Sequence, residues 1–123
     1  MNEQSEFAKT GGIHASALID EAGKVIATRE DVGRHNALDK LLGHAIQNGL
    51  LDPKVQFIAC SGRLNFELVQ QGIMANIGVM AGVGAPTSLA IDLAKRFDMT
   101  LLGFVKENSF NIYSNKNRII LSS

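Results

Sequence analysis

The sequence predicts an α/β fold, a three-layer α/β/α sandwich in which helices cover both faces of a mixed sheet. From residue 36 onward, segments of helical periodicity alternate with short apolar runs, a pattern typical of parallel strands joined by helices. A β-hairpin precedes them and adds antiparallel strands to the sheet. The chain has 123 residues, of which 46% are hydrophobic and 20% charged, and this size and composition predict one globular domain over residues 1–123.

The hairpin is predicted near the N-terminus. Residues 1–9 form a loose lead-in, and a glycine-rich turn over residues 10–14 opens a strand that continues through residues 15–20. Residues 21–24 have the composition of a hairpin turn, and residues 25–28 form the returning strand.

Three helices follow, each identified by its apolar stripe or by its capping residues. The predicted helices cover residues 36–49 and 65–76 and then a segment that opens at Pro86, Thr87 and Ser88, where a hydroxyl can cap the helix start. The predicted strands between and after them are residues 55–60, 77–83, 100–105 and 110–113. The side chains expected on the buried helix faces are Ala37, Leu38, Leu41, Leu42, Ala45 and Ile46, then Phe66, Val69, Ile73 and Ile77, then Leu89, Ala90, Leu93, Ala94 and Phe97.

The composition argues against several classes of protein. Twelve basic and twelve acidic residues give no net charge, which argues against a nucleic-acid-binding groove. A single cysteine excludes a disulfide framework and any multi-cysteine metal site built from this chain alone. No apolar run approaches the ~20 residues that span a bilayer, and the polar, acidic start is unlike a secretory signal. We therefore expect a cytoplasmic protein with neither nucleic acid nor membrane as a partner.

The densest polar cluster lies where the hairpin leads into the first helix. Gly33 allows a ligand to approach the backbone, and Arg34 can hold a phosphate through two parallel hydrogen bonds. The other candidate ligand-binding residues of this cluster are His35, Asn36, Asp39 and Lys40. A capped helix start with surface ion pairs is the alternative interpretation.

Three smaller clusters also lie at turns. Gly11 and Gly12 can free backbone N–H groups for an anion, and His14 can bind a ligand or titrate near neutral pH. Ser61, Gly62 and Arg63 follow an apolar strand, as in a phosphate-binding turn, but they lack the Walker sequence, so nucleotide hydrolysis is not indicated. Thr87 stands at the third helix start. The alternatives are a plain turn with a structural histidine in the first case and a simple helix cap in the last.

Cys60 ends an apolar run, where a free cysteine behaves as a small hydrophobic residue. Arg63 could lower the pKa of its thiol, which would favour reactivity. The apolar run favours a buried, structural role for this cysteine.

Together these motifs resemble the FdhD family, the formate dehydrogenase accessory sulfurtransferases. The matching segments are residues 10–14, 30–40, 61–63, 85–90 and 101–105, in the family's order, and the resemblance extends from residue 10 to residue 119. The most specific of them is Glu-Asp-x-Gly-Arg-His-Asn-Ala-x-Asp-Lys over residues 30–40.

The resemblance implies a cytidine-deaminase-like fold, a homodimer and a role in sulfur transfer. Family members receive sulfur from a cysteine desulfurase as a persulfide and pass it to bis-molybdopterin guanine dinucleotide, the molybdenum cofactor of formate dehydrogenase. This domain would bind the guanine nucleotide portion, for which GDP is an analogue. The family's C-terminal cofactor-binding stretch corresponds here to Phe104, Val105, Lys106, Glu107, Asn108 and Ser109.

The sequence also departs from the family pattern. The family's sulfur-carrying Cys-x-x-Cys lies upstream of the residues matched by 10–14, so the chain corresponds to the C-terminal cofactor-binding domain, and we assign residues 10–121 to that domain. No catalytic residue is assigned within it, and whether the chain alone is an enzyme stays open. Gln71, Gly84 and Lys106 stand where lysine, serine and arginine are usual.

Two other functions remain alternatives. One is a non-catalytic regulatory module that binds guanine nucleotides, and the other is a small hydrolase that uses His14 or His35. The sequence argues against zinc-dependent deamination, because Ser16 stands where the His-x-Glu pattern needs its glutamate after His14, and the sequence contains no Cys-x-x-Cys.

Overall fold

A computed structural model describes residues 13–103 and 111–114, and it confirms the α/β class and the mixed sheet. The strands are β1 (His14–Asp20), β2 (Val25–Asp31), β3 (Gln56–Cys60), β4 (Val79–Gly82), β5 (Thr100–Gly103) and β6 (Asn111–Ser114). The helices are α1 (Arg34–Gln47), α2 (Phe66–Met74) and α3 (Ser88–Arg96). The predicted lead-in over residues 1–9 lies outside the described residues.

The six strands form one sheet in the order β2-β1-β3-β4-β5-β6. Strand β1 is antiparallel to both of its neighbours, β3, β4 and β5 are parallel, and β6 is antiparallel to β5. Strands β2, β3, β4 and β5 therefore run in the same direction and end at the same edge of the sheet, where β1 begins. We call this the carboxyl edge, marked by Asp31, Cys60, Gly82 and Gly103. Ligands of open α/β sheets bind at such an edge.

All three helices contribute to one hydrophobic cluster on one face of the sheet. Leu38, Leu68 and Ala90, one from each helix, belong to the cluster that also contains Leu18 and Met80 of the sheet. Side chains alternate along a strand, so Ala17, Ile19 and Ala59 point to the opposite face, where they form a second buried cluster. Side chains are therefore buried on both faces of the sheet, but the three described helices all lie on the first face. The α/β class and mixed sheet are confirmed, whereas a helix layer on the second face is not seen among the described residues and stays a prediction.

Helix α1 begins two residues earlier than the apolar periodicity predicts. Gly33 takes the N-cap position with extended backbone, and its N–H donates to Asp31 Oδ1 at 3.0 Å, which ends β2 and starts the helix within two residues. Arg34, His35 and Asn36 therefore lie in the first helical turn rather than before it. The predicted helix end is confirmed, because Asn48 is the C-cap and Gly49 follows with a φ of +65°.

Several apolar residues predicted to be buried are exposed. Ile46 is 63%, Phe66 39%, Leu89 66% and Phe97 59% exposed. Helix α3 contacts the core through Ala90 and Ala94, which lie above one another on a single stripe. Leu89 precedes Ala90 by one residue, roughly 100° around the helix, and so turns away from the core.

Candidate functional site

The motifs at residues 10–14 and 61–63 meet at the carboxyl edge. Strand β1 pairs with β3 so that His14 lies beside Gly62, where an added Cβ would be 3.6 Å from His14 Nδ1. The Ala15 N–H donates to Ser61 Oγ at 2.9 Å, and the Ser61 N–H donates to the Ala15 carbonyl at 3.0 Å. His14 and the Ser61–Gly62 turn thus form one surface, and part of the Ser61 hydroxyl's hydrogen-bonding capacity is used to join them.

The motifs at residues 61–63 and 85–90 are also joined. Arg63 Nε donates to the Ala85 carbonyl at 2.9 Å, and the Thr87 N–H donates to the Leu64 carbonyl at 3.0 Å. These bonds hold the turn after β3 against the turn after β4. The exposed Arg63 side chain is fixed through Nε, which leaves its terminal Nη groups to face a ligand.

Thr87 has a structural role in addition to its predicted role in binding. Its Oγ1 accepts a hydrogen bond from the Ala90 N–H at 3.2 Å and so caps α3. The hydroxyl proton is not used in this bond, so the side chain still has a donor to offer a ligand.

Glycines at the strand ends allow the turns to pack closely. A Cβ at Gly82 would lie 2.8 Å from the Gly62 carbonyl oxygen, and one at Gly103 would lie 3.0 Å from the Gly84 carbonyl oxygen. Sequence analysis did not identify Gly82 and Gly103 as site residues. The available signal was a glycine at the end of each apolar strand, a position where backbone often approaches backbone.

Lys40, a candidate ligand-binding residue, forms an ion pair with Asp31. Lys40 Nζ lies 2.6 Å from Asp31 Oδ2 and also donates to the Glu30 carbonyl at 3.3 Å. The Gly33 backbone N–H and, next, the Lys40 ammonium lower the pKa of Asp31 to about 2. Lys40 therefore contributes to the site as part of an ion pair rather than as a free positive charge.

The start of α1 favours an anion. Gly33 offers no side-chain cap, and the first turn contains no acidic residue. Arg34, half-buried, and the exposed His35 and Asn36 occupy this turn instead. The partial positive charge of a helix N-terminus and the Arg34 guanidinium both attract a phosphate, while the Asp31 carboxylate, which accepts from the Gly33 N–H, opposes this attraction.

Asp39 is held from the neighbouring helix. Gln71 Nε2, on α2, donates to Asp39 Oδ1 and, at 3.5 Å, to the His35 carbonyl. Gln71 Oε1 is closed off from solvent and has no hydrogen-bond partner among the described residues. Asp39 is exposed, one helical turn beyond His35.

Cys60 is buried, as predicted. It is 6% exposed, its Sγ lies 3.5 Å from Ser16 Oγ, and burial raises the pKa of its thiol to about 11. Across residues 13–103 and 111–114, no three His, Cys, Asp or Glu side chains come together in a group that could hold a metal ion.

Some predicted site residues lie outside the described ranges. They are Gly11 and Gly12, which precede the start of β1, and Phe104, Val105, Lys106, Glu107, Asn108 and Ser109, which follow β5. The structure thus joins His14, residues 61–63 and Thr87 through hydrogen bonds and close packing at the carboxyl edge, and α1 starts at the same edge after β2.

The fold and this edge define an α/β domain with a candidate site for phosphorylated ligands, formed by turns after parallel strands and by helix N-termini. The chain belongs to the FdhD/NarQ family, whose sequence model matches residues 1–120. This match confirms the resemblance that the motifs over residues 10–119 indicate.

Individual relatives agree with this assignment. The sulfur carrier protein FdhD of Streptomyces avermitilis is 50% identical over 118 residues, which is 96% of this chain and 42% of that protein. The protein of the same name from Sulfurisphaera tokodaii is 46% identical over 117 residues, 95% of this chain and 46% of that protein. The chain therefore spans less than half the length of these curated relatives.

A solved structure agrees with the fold. The crystal structure of a Desulfotalea psychrophila protein described as a formate dehydrogenase accessory protein matches with a TM-score of 0.82 and 32% sequence identity. The match covers 90% of this chain and 49% of that one.

Proposed function

We propose that this chain binds bis-molybdopterin guanine dinucleotide at the carboxyl edge and serves as the cofactor-binding part of a sulfur carrier protein for formate dehydrogenase. The observation that carries the proposal is the junction of separate motifs. His14 lies beside Gly62, and Arg63 is bonded to the Ala85 carbonyl, so segments far apart in sequence form one surface. Relatives named sulfur carrier protein and formate dehydrogenase accessory protein support the biological role.

The residues at the edge fit a ligand with several phosphates. Arg34 and Arg63 offer guanidinium groups, and α1 and α3 begin beside them. Gly33 and Gly62 leave room for backbone to approach the ligand, while His14, His35 and Asn36 provide directional hydrogen bonds. The cofactor is cargo in this scheme, and the chain's own residues bind and orient it.

Sulfur transfer requires a thiol that a donor protein can reach. Cys60 is a poor carrier, because it is buried and because a thiol of pKa about 11 is hardly ionised at neutral pH. We therefore assign these residues to holding the cofactor rather than to carrying the sulfur. The proposed partners are a cysteine desulfurase, which donates the sulfur, formate dehydrogenase, which receives the cofactor, and a second copy of the chain.

The proposed location is the cytoplasm, where cofactor maturation and a reduced thiol are both expected. Within the part of the chain that the structure describes, no helix has the length and apolar character needed to cross a membrane.

The proposal predicts that the chain binds GDP better than ADP. Both nucleotides carry the same diphosphate, so a difference measures recognition of the guanine ring. Isothermal titration calorimetry with the 123-residue chain gives both affinities. Equal affinities, or no binding at millimolar GDP, would refute recognition of the guanine end of the cofactor. Recovery of intact GDP would also separate binding from hydrolysis by His14 or His35.

A second prediction tests whether Arg34 binds the diphosphate of GDP. Arg34→Ala should weaken GDP binding about 10- to 150-fold, because a charge-assisted hydrogen bond contributes roughly 1.5–3 kcal/mol. The thermal unfolding transition should remain. Arg96→Ala, at the exposed last turn of α3, is the matched control and should leave GDP affinity unchanged. If Arg34→Ala unfolded the domain instead, the residue would be structural and its role in binding would lose its support.

A further inference from the structure

We propose that Asp39, positioned by Gln71, is the specificity-determining residue of the site and accepts the paired N–H donors of a 2-amino-4-oxopyrimidine ring. This inference rests on the proposed function, since it names the part of the ligand that the carboxylate recognises. Guanine presents two adjacent donors on this ring edge, the ring N–H and the amino group, and a carboxylate presents two acceptors at matching separation.

Asp31 and Asp39 differ in how many of their carboxylate oxygens already have a partner within the protein. Both oxygens of Asp31 are occupied, Oδ1 by the Gly33 N–H and Oδ2 by Lys40 Nζ. Asp39 Oδ1 accepts from Gln71 Nε2, and its Oδ2 has no protein partner among the described residues. An oxygen can accept more than one hydrogen bond, so Asp39 can still receive two donors from a ligand.

The group that holds Asp39 is neutral. The lysine beside Asp31 compensates that negative charge, whereas the Gln71 amide donates a hydrogen bond to Asp39 and adds no charge. An uncompensated carboxylate repels phosphate and is a strong acceptor for N–H groups. The charges therefore divide the surface: the phosphates go to Arg34 and Arg63, and the ring goes to Asp39.

The orientation of the Gln71 amide is fixed by its surroundings. Its Nε2 faces two acceptors, Asp39 Oδ1 and the His35 carbonyl. The reversed amide would place Oε1 against the same two oxygens, which would leave three acceptors facing one another. The cost of this orientation is that the buried Oε1 of Gln71 has no hydrogen-bond partner among the residues that the structure describes. That arrangement sacrifices stability to hold Asp39, as expected of a positioning residue.

The position along α1 also suits a nucleotide. Asp39 lies five residues after Arg34, a rise of about 7.5 Å along the helix and a turn of roughly 140° around it, so the ligand would have to pass across the helix surface as well as along it. A ligand with its phosphates at the N-terminus of α1 would need a ring further along to reach Asp39. Adenine would not be accepted there, because it presents a ring acceptor beside its amino group, and two acceptors would then face each other.

Two parts of the proposed ligand carry this ring edge. Guanine and pterin both contain a 2-amino-4-oxopyrimidine, and the cofactor contains both. Two diphosphates distinguish them: GDP presents the guanine edge, and 6-hydroxymethyl-7,8-dihydropterin diphosphate presents the pterin edge. The probe that loses more affinity when Asp39 is changed identifies which ring lies against the carboxylate.

The experiment measures binding of GDP, inosine diphosphate, xanthosine diphosphate and the pterin diphosphate by calorimetry with the whole chain. Wild type should bind GDP at least about 10-fold more tightly than inosine diphosphate, which lacks the 2-amino donor. Asp39→Asn should lose about 10-fold or more for GDP and gain for xanthosine diphosphate, because an amide offers one acceptor and one donor to a ring that has one oxygen and one N–H. Asp92→Asn, at an exposed position of α3, is the control and should behave as wild type.

A second variant tests the role of Gln71. Gln71→Glu keeps the shape of the side chain but replaces the donor with a charge that repels Asp39. GDP affinity should fall relative to wild type at pH 8 and recover towards wild type near pH 5.5, because the introduced carboxyl regains a proton to donate and like charges raise its pKa. Gln70→Glu, the exposed neighbour on α2, should show no such pH dependence.

The outcomes separate this inference from the proposed function. If wild type binds GDP but Asp39→Asn keeps the same ranking of the four ligands, the inference is wrong and the proposed function stands. If neither GDP nor the pterin diphosphate binds wild type, both are wrong. If only the pterin diphosphate binds, and Asp39→Asn abolishes that binding, the inference holds with pterin as the recognised ring.

Discussion

Asp31 has a lowered pKa, and this makes the stability of the α1 region dependent on pH. The Gly33 N–H and the Lys40 ammonium favour the charged carboxylate in the folded chain and lower its pKa from an ordinary 3.8 to about 2. The folded state therefore binds this proton less readily than the unfolded state does. The stabilisation is fully present above pH 4 and is lost as the pH falls towards 2.

We therefore expect Asp31→Asn to lower the melting temperature at pH 7, by an amount that shrinks as the pH falls below 4. The amide can still accept from the Gly33 N–H, but it loses the ion pair with Lys40. Thermal unfolding of both proteins from pH 7 to pH 2 measures the difference. Asp52→Asn is an exposed control. A difference in melting temperature that is constant across this range would contradict the assignment.

Cys60 is expected to be inert in the native state. Burial raises the pKa of its thiol to about 11, so the reactive thiolate is scarce as well as inaccessible. A thiol reagent should label the chain slowly when folded and rapidly after denaturation. Cys60→Ala should leave GDP binding nearly intact and cost roughly 1 kcal/mol of stability or somewhat more through lost side-chain volume. Rapid native labelling, together with sulfur acquired from a desulfurase, would make Cys60 the carrier.

At the scale of the elements, local sequence predicts where helices and strands lie better than it predicts which faces are buried. Periodicity and capping residues placed α2 and α3 correctly, and Asn65 and Thr87 cap them through side-chain oxygens. The exposure of Leu89 and Phe97 could not be predicted, because it depends on how closely the alanines of α3 bring that helix to the sheet.

Contacts between distant residues explain what the sequence did not reveal about the site. The motifs predicted that His14, Arg34 and Arg63 would share a surface, since strand ends meet at one edge of an α/β sheet. The Gln71–Asp39 hydrogen bond joins residues 32 positions apart on two helices, and no local pattern encodes the rotation of one helix against another. The same holds for Asp31 and Lys40, whose pairing depends on where α1 starts.

The cap of α3 gives a prediction for a single element. Thr87→Ala removes the oxygen that accepts from the Ala90 N–H and should destabilise the domain by about 1 kcal/mol, while Thr87→Ser should retain most of the stability. Thermal unfolding measures both, and GDP titration of the same variants shows whether the hydroxyl also contacts the ligand. An unchanged melting temperature for Thr87→Ala would show that the cap contributes nothing.

For the whole molecule, the site depends on how closely three strand ends and their turns pack at the carboxyl edge. A Cβ at residue 82 would lie 2.8 Å from the Gly62 carbonyl oxygen and 3.0 Å from Leu64 Cγ. The turn after β3 therefore cannot keep its place if β4 ends in any larger residue. That turn contains Ser61 and Arg63, so binding and stability should change together when it moves.

Gly82→Ala tests this dependence. The added Cβ would be 2.8 Å from the Gly62 carbonyl oxygen and 3.0 Å from Leu64 Cγ, and backbone must shift to admit it. We expect a loss of about 1–3 kcal/mol in stability, typical of overpacking, together with weaker GDP binding. Gly43 is the control, because it lies at an exposed position of α1 and an added Cβ would have nothing within 4 Å. Gly43→Ala should stabilise the domain by up to about 1 kcal/mol and leave binding unchanged. If Gly82→Ala matched wild type in both melting temperature and GDP affinity, the position of the turn would not depend on this contact, and the close packing of the strand ends could not be what forms the site.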